Sequence, residues 1–149
     1  MKIIRHIGIV TNNLNKSLYF YKNLLGFKVV HDRRECSSYA EKLLGIKKVD
    51  LRTIKLSDSK GALLELVYYK NPKAKKNTNR RINNVGCSHF AVTVDDVSEE
   101  YRKLKRKGVY SISPPQESPN GCAKVVFCKD PNGVFVELVE VLNKRKRKK

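Results

Sequence analysis

The sequence predicts an α+β fold of two tandem βαβββ modules, their strands forming a cupped, barrel-like mixed sheet. Three observations carry that prediction. Each half opens alike: residues 6–14 read HIGIVTNNL and residues 89–97 read HFAVTVDDV. Each half also closes alike, on the pattern D-x-x-G-x-x-x-E-L-V, from Asp58 to Val67 and from Asp130 to Val139. Between those ends the hydrophobic period changes in the same order twice, strand to helix to strands, which marks an internal repeat.

Taken in order, residues 3–10 and 88–94 run apolar or alternate over strand length. Asn12 or Asn13, and Asp95 or Asp96, can accept hydrogen bonds from first-turn amides and so begin a helix. Leu14, Leu18, Tyr21 and Leu25 then share one helical face, and Gly26 stops it. Val97, Tyr101 and Leu104 repeat the spacing, with Gly108 as the stop. Strands follow at 27–30, 51–56 and 63–69, and again at 109–112, 124–128 and 135–141. Asp58–Gly61 and Asp130–Gly133 read as hairpin turns. The first half carries about 11 more residues between its His and its Glu than the second. The insertion 33–49 places Tyr39, Leu43 and Leu44 at helical spacing, so a short lid-like helix is expected there. Residues 113–121, with Pro114, Pro115 and Pro119, read as a loop. The organisation is one domain over 1–142, comprising module one at 3–69, a solvated linker at 70–85 and module two at 86–142, with a basic disordered tail at 143–149.

Of the 149 residues, 32 are Lys or Arg and 14 are Asp or Glu, for a formal charge of +18. Lys70, Lys73, Lys75, Lys76, Arg80 and Arg81 cluster in the linker, and six more cations fill 144–149. The excess is thus local rather than spread over the fold. The tail lacks interleaved aromatics, so it reads as a solubilising extension and not a specific nucleic-acid site. No apolar run is long enough to cross a membrane as a helix, and no secretory signal is evident. Cys36, Cys87, Cys122 and Cys128 show no C-x-x-C spacing, which is expected of reduced, partly buried thiols in a cytoplasmic protein.

Four residues occupy repeated positions. His6 and His89 sit at the start of each module's first strand, and Glu65 and Glu137 sit on each last strand. If first and last strands pair, each imidazole meets a carboxylate, and pseudo-twofold packing brings all four together. Such a set suits a divalent ion such as Ni, Co, Mn, Fe or Zn. Both Glu lie among apolar neighbours, where a cation offsets the cost of a buried carboxylate. His31 has no counterpart, and Glu140 has the opposite strand parity to Glu137 and is expected to face outward.

The opening R-H-I-G-I-V-x-x-x-L-x-x-S-L-x-F-Y-x-x-L-L-G-F and the closing D-P-N-G-x-x-x-E-L resemble the vicinal oxygen chelate (VOC) superfamily. That superfamily includes glyoxalase I, methylmalonyl-CoA epimerase, extradiol dioxygenases and bleomycin-resistance proteins. The resemblance spans about residues 3–142. It implies a glyoxalase-like fold, with His6, Glu65, His89 and Glu137 as metal ligands. It also implies a lyase or isomerase that uses Glu137 or Glu65 as a base beside a carbonyl of a small oxygen-rich substrate. Arg34 and Arg52 are expected to meet an anionic or thioester substrate, and a homodimer is implied. The alternatives are a ligand-sequestering binder of the bleomycin-resistance kind and a metal-dependent dioxygenase; a fourth ligand at Glu65 weighs against the latter. The additional acid of the epimerases falls near Ile46-Lys47-Lys48, a place that Glu41 or Glu35 could take instead.

Overall fold

The structure, a computed structural model, describes residues 1–76 and 79–142; the predicted tail lies outside the described residues. The chain divides into two compact units, Met1–Asn77 and Thr78–Lys149, and the break falls within the predicted linker.

In the first unit β1 (Ile7–Thr11) leads into α1 (Leu14–Leu18), which continues as a π-helical segment, Tyr19–Leu24. There follow β2 (Lys28–Glu35), α2 (Ser38–Leu44), β3 (Asp50–Ser57) and β4 (Leu63–Asn71). The strands make one four-stranded sheet in the order β1-β4-β3-β2, with β1 parallel to β4 and the other pairs antiparallel. The second unit holds β5 (His89–Thr93), α3 (Val97–Arg106), β6 (Gln116–Glu117), β7 (Ala123–Lys129) and β8 (Phe135–Val141). Its sheet runs β5-β8-β7-β6, and β5 is likewise parallel to β8. The repeat in the sequence is therefore a repeat in topology, and the fold is α+β in two tandem modules.

The shared D-x-x-G segment has a structural cause. Asp58 Oδ1 accepts from the amides of Lys60 and Ala62, each at 2.8 Å, and the Asp58 amide donates to the Ala62 carbonyl. Asp130 does the same with Asn132 and Val134, each at 2.8 Å, and its own amide donates to the Val134 carbonyl. Gly61 and Gly133 take φ of 90° and 80°, which glycine adopts without the strain a Cβ brings. Each turn thus closes a hairpin and sets which residue of the third strand faces the glutamate of the fourth.

Each sheet buries one face. In the first unit Ile9, Ile54, Leu56, Leu64 and Leu66 are buried, together with Phe20, Tyr21 and Leu24 of the helical segment. At roughly 1.5–3 kcal/mol for each fully buried large apolar side chain, this layer is a main source of stability. Thr11 and Ser17, both fully buried, satisfy each other through a 2.7 Å hydroxyl–hydroxyl bond that ties the end of β1 to α1. In the second unit α3 lies against β7 and β8, with Val97, Leu104, Val126, Cys128, Val136 and Leu138 buried. Asn13 and Asp96 are the observed N-caps, bonding Lys16 N and Glu99 N. Glu140 lies on the face away from Glu137, but that face is the one α3 covers: rather than facing outward, Glu140 is half-buried and its Oε2 accepts from the Val97 amide, supporting the start of α3.

Four local expectations are corrected. The predicted strand 109–112 contributes only an isolated bridge at Ser111 to Cys128, and the edge strand instead forms at Gln116–Glu117 inside the predicted loop. Pro114 and Pro115 have no amide to donate, so the ladder resumes only after them. The first helix buries Ser17, Phe20, Tyr21 and Leu24 rather than Leu14, Leu18 and Leu25; the buried set is spaced i, i+3, i+4 and i+7, a helical face that begins at a small polar residue, Ser17, whose hydroxyl is satisfied by Thr11. The insertion does form a helix, α2, but Tyr39 and Leu43 point outward while Ala40 packs with Val49 and Leu51. Finally, β2 extends beyond Val30 to Glu35, since an edge strand needs no buried alternation. Of the four thiols, three are exposed and only Cys128 is buried.

Candidate functional site

Parallel pairing of first and last strands decides the local geometry in each unit. Gly8 lies opposite Glu65 and Ala91 opposite Glu137, so each glutamate has a small residue beside it on its own face. The histidine lies two positions before that small residue and reaches diagonally to the carboxylate. His6 Nε2 is 3.3 Å from Glu65 Oε2, and His89 Nε2 is 3.3 Å from Glu137 Oε2. The side chains are 33% and 36% exposed for the imidazoles and 16% and 21% for the glutamates, so each pair is sheltered yet reachable. His89 opens β5, whereas His6 immediately precedes β1. The carboxylates are not isolated among apolar neighbours, because each has its imidazole.

The two pairs differ in what surrounds them. His89 Nδ1 bonds Ser88 Oγ at 2.7 Å, and its ring stands edge-on to Phe127 at 5.1 Å. A proton on Nδ1, donated to Ser88, leaves the Nε2 lone pair available to a ligand. Arg5 precedes His6 where Ser88 precedes His89. Across the hairpin, Glu65 faces Lys55 and Glu137 faces Phe127. Lys55 Nζ is 3.6 Å from Glu65 Oε1, so this carboxylate is shared between an imidazole and an ammonium. Counting outward from the Asp58–Gly61 turn places Lys55 opposite Glu65, and the same count from Asp130–Gly133 places Phe127 opposite Glu137, signals the sequence contained; Ser88 carries no comparable sign.

Within each unit the donors suit a divalent cation. Nitrogen and oxygen donors bound at about 2.1 Å at right angles lie about 3 Å apart, close to the observed 3.3 Å. Among the described residues, no group of three or more His, Cys, Asp and Glu side chains is gathered.

Arg34 and Arg52, read from the sequence as substrate contacts, are each engaged by an aspartate. Arg52 lies three residues from Lys55 on β3 with no bulge between, and so on the face opposite Glu65. Its guanidinium grips Asp32 through two bonds of 2.7 and 2.6 Å, and Arg34 grips Asp50 through two of 2.9 Å. These bonds hold both aspartates below the usual carboxylate range. Glu41 accepts from the Lys48 amide and Glu35 pairs with Arg33, so both candidate substitutes for the epimerase acid are engaged. Burial pushes the Cys128 thiol up to about 12, which makes it a packing residue and not a nucleophile. The α2 insertion packs Ala40 against Leu51, Val67 and Tyr69. Val67 and Tyr69 follow Glu65 by two and four residues, so α2 covers the same sheet face farther along.

Comparisons with known proteins bear on the same segments. The model of the Glyoxalase/Bleomycin resistance protein/Dioxygenase superfamily matches residues 3–138. A lactoylglutathione lyase of Neisseria meningitidis is 28% identical over 135 residues, covering 91% of this chain and 88% of that one. A mitochondrial methylmalonyl-CoA epimerase of Dictyostelium discoideum is 29% identical over 140 residues, covering 92% and 77%. Among solved structures, a glyoxalase family protein from Bacillus cereus superposes with a TM-score of 0.86 at 18% identity, covering 96% of this chain and 97% of that one.

Proposed function

The chain belongs to the Glyoxalase/Bleomycin resistance protein/Dioxygenase superfamily, and from that premise we propose that it is a glyoxalase-like, metal-dependent lyase or isomerase acting on a small oxygen-rich substrate. His6, Glu65, His89 and Glu137 hold one divalent ion, chosen from Ni, Co, Mn, Fe and Zn, and proton transfer takes place at a carbon beside a carbonyl. The observation that carries this reading is the twofold recurrence of a 3.3 Å imidazole–carboxylate pair at equivalent positions of two modules. Relatives named lactoylglutathione lyase support a hemithioacetal as the substrate class. The ligands come from one chain or from two copies in a homodimer; the reading is the same in either case.

A divalent ion at these donors would polarise a carbonyl oxygen and stabilise negative charge developing there. The chain's own residues divide the remaining work. Ser88 orients the His89 ring through Nδ1, and Phe127 packs against that ring in a perpendicular contact. Glu137 serves as the base: its cross-strand neighbour is the apolar Phe127, and its Oε2 faces His89. Glu65 serves as the anchor, with Lys55 fixing its second oxygen.

The test is elemental analysis of the purified protein together with turnover of hemithioacetals, acyl-CoA esters and catechols. We expect about one divalent ion for each set of four ligands, and hemithioacetal isomerisation that Glu137→Gln lowers by about 10²–10⁴-fold. If Glu65→Gln and His89→Ala proteins hold as much metal as the parent, the proposed centre is wrong. Tight ligand binding without turnover, in a protein free of metal, would favour the sequestering role instead.

A further inference from the structure

We propose that Lys55 is a built-in competitor for the carboxylate of Glu65 and sets how tightly the proposed centre holds its metal ion. This inference rests on the metal-binding reading above and adds a control on it. Lys55 and Glu65 are directly paired across β3 and β4, and no register shift intervenes between them and the hairpin turn. The ammonium is 3.6 Å from Oε1 while His6 Nε2 is 3.3 Å from Oε2, so the two oxygens of one carboxylate serve different partners. The Lys55 side chain is only 27% exposed, which limits screening of the pair by solvent. At the equivalent position of the second unit stands Phe127, an apolar ring turned edge-on to His89. The duplication thus preserves the His–Glu pair and breaks its surroundings, placing a fixed positive charge beside one carboxylate and, among the described residues, none beside the other.

A cation bound to Glu65 must displace the ammonium from Oε1 or accept it as a neighbour of like charge. Either route costs binding free energy, and a partly sheltered pair makes that cost appreciable without making it prohibitive. The guanidinium groups of this sheet are engaged elsewhere, Arg33 with Glu35, Arg34 with Asp50 and Arg52 with Asp32.

Full-length protein stripped of metal is titrated calorimetrically with nickel chloride, alongside Lys55→Met and Lys55→Arg. Met retains the length of the stem and removes the charge, whereas Arg keeps the charge. Thermal melts monitor folding in each case. We expect Lys55→Met to bind nickel about ten-fold more tightly and Lys55→Arg to stay near the parent. Equal affinity in all three proteins overturns the role of Lys55 while leaving the metal centre standing. Weaker binding in Lys55→Met overturns it as well, by making Lys55 a support for the ligand rather than a competitor. No nickel binding in any of the three overturns this inference and the metal reading together.

Discussion

Replacing Asp130 by Ala tests whether the repeated D-x-x-G segment owes its presence to folding. The Asp130 residue is 4% exposed. Its Oδ1 accepts two backbone amides at 2.8 Å, and Oδ2 accepts Asn132 Nδ2 at 3.0 Å. Hydrogen bonds to a charged acceptor contribute roughly 1.5–3 kcal/mol each, but those to an alanine variant's stranded amides are partly recovered by water, so a loss of about 3 kcal/mol is expected. Asp58 makes the same two amide bonds in a more exposed turn, where water replaces the carboxylate more readily, and Asp58→Ala should cost about 1 kcal/mol. Urea unfolding followed by circular dichroism reads the difference directly. With a urea slope near 2 kcal/mol/M, the Asp130 variant shifts the midpoint by about 1.5 M and the Asp58 variant by about 0.5 M. Equal shifts, or a loss under about 0.5 kcal/mol for Asp130→Ala, would refute the burial-dependent account of these turns.

Acid should destabilise the protein through specific carboxylates. Asp32 is held low by its bond to Arg52, Asp50 by its bond to Arg34, and Asp96 by the Glu99 amide, all from an ordinary value of 3.8. A folded-state value below the unfolded one means this stabilisation is present above the ordinary value and is lost as pH falls through the folded one. Thermal melts should therefore decline below about pH 4, and a doubly substituted Asp32→Asn, Asp50→Asn protein should decline less steeply over that range; parallel curves would refute the assignment. A thiol-counting reagent at pH 8 should label Cys36, Cys87 and Cys122 rapidly and Cys128 only after unfolding, and four fast thiols in the native protein would contradict the buried placement.

Much of the architecture was legible because it was written twice. The paired ends of each half located the first and last strands, and strand pairing then put His6 beside Glu65 and His89 beside Glu137. What escaped was information carried by register and by the third dimension. Arg34 and Arg52 read as free cations because no sequence signal shows that a cross-strand aspartate occupies each. The stripe Tyr39, Leu43 and Leu44 predicted the α2 helix correctly, yet the small Ala40 is what fits against Leu51, so the apolar residues face outward. The buried face of the first helix escaped for a related reason: it begins at Ser17, a polar residue that hydrophobic patterning passes over and that Thr11 satisfies in the interior. Lys55, by contrast, was within reach of simple counting from the turn.

The extra length of the first half is concentrated between β2 and β3, where fourteen residues stand against the five that join β6 to β7. Neither the β1–β4 pairing nor the Asp58 turn passes through that stretch, so its length can change without altering the address of Glu65. A graft or deletion between Cys36 and Val49 therefore remodels what sits over the sheet while the chemistry beneath keeps its coordinates. Evolution and the protein engineer have the same splice point available to them.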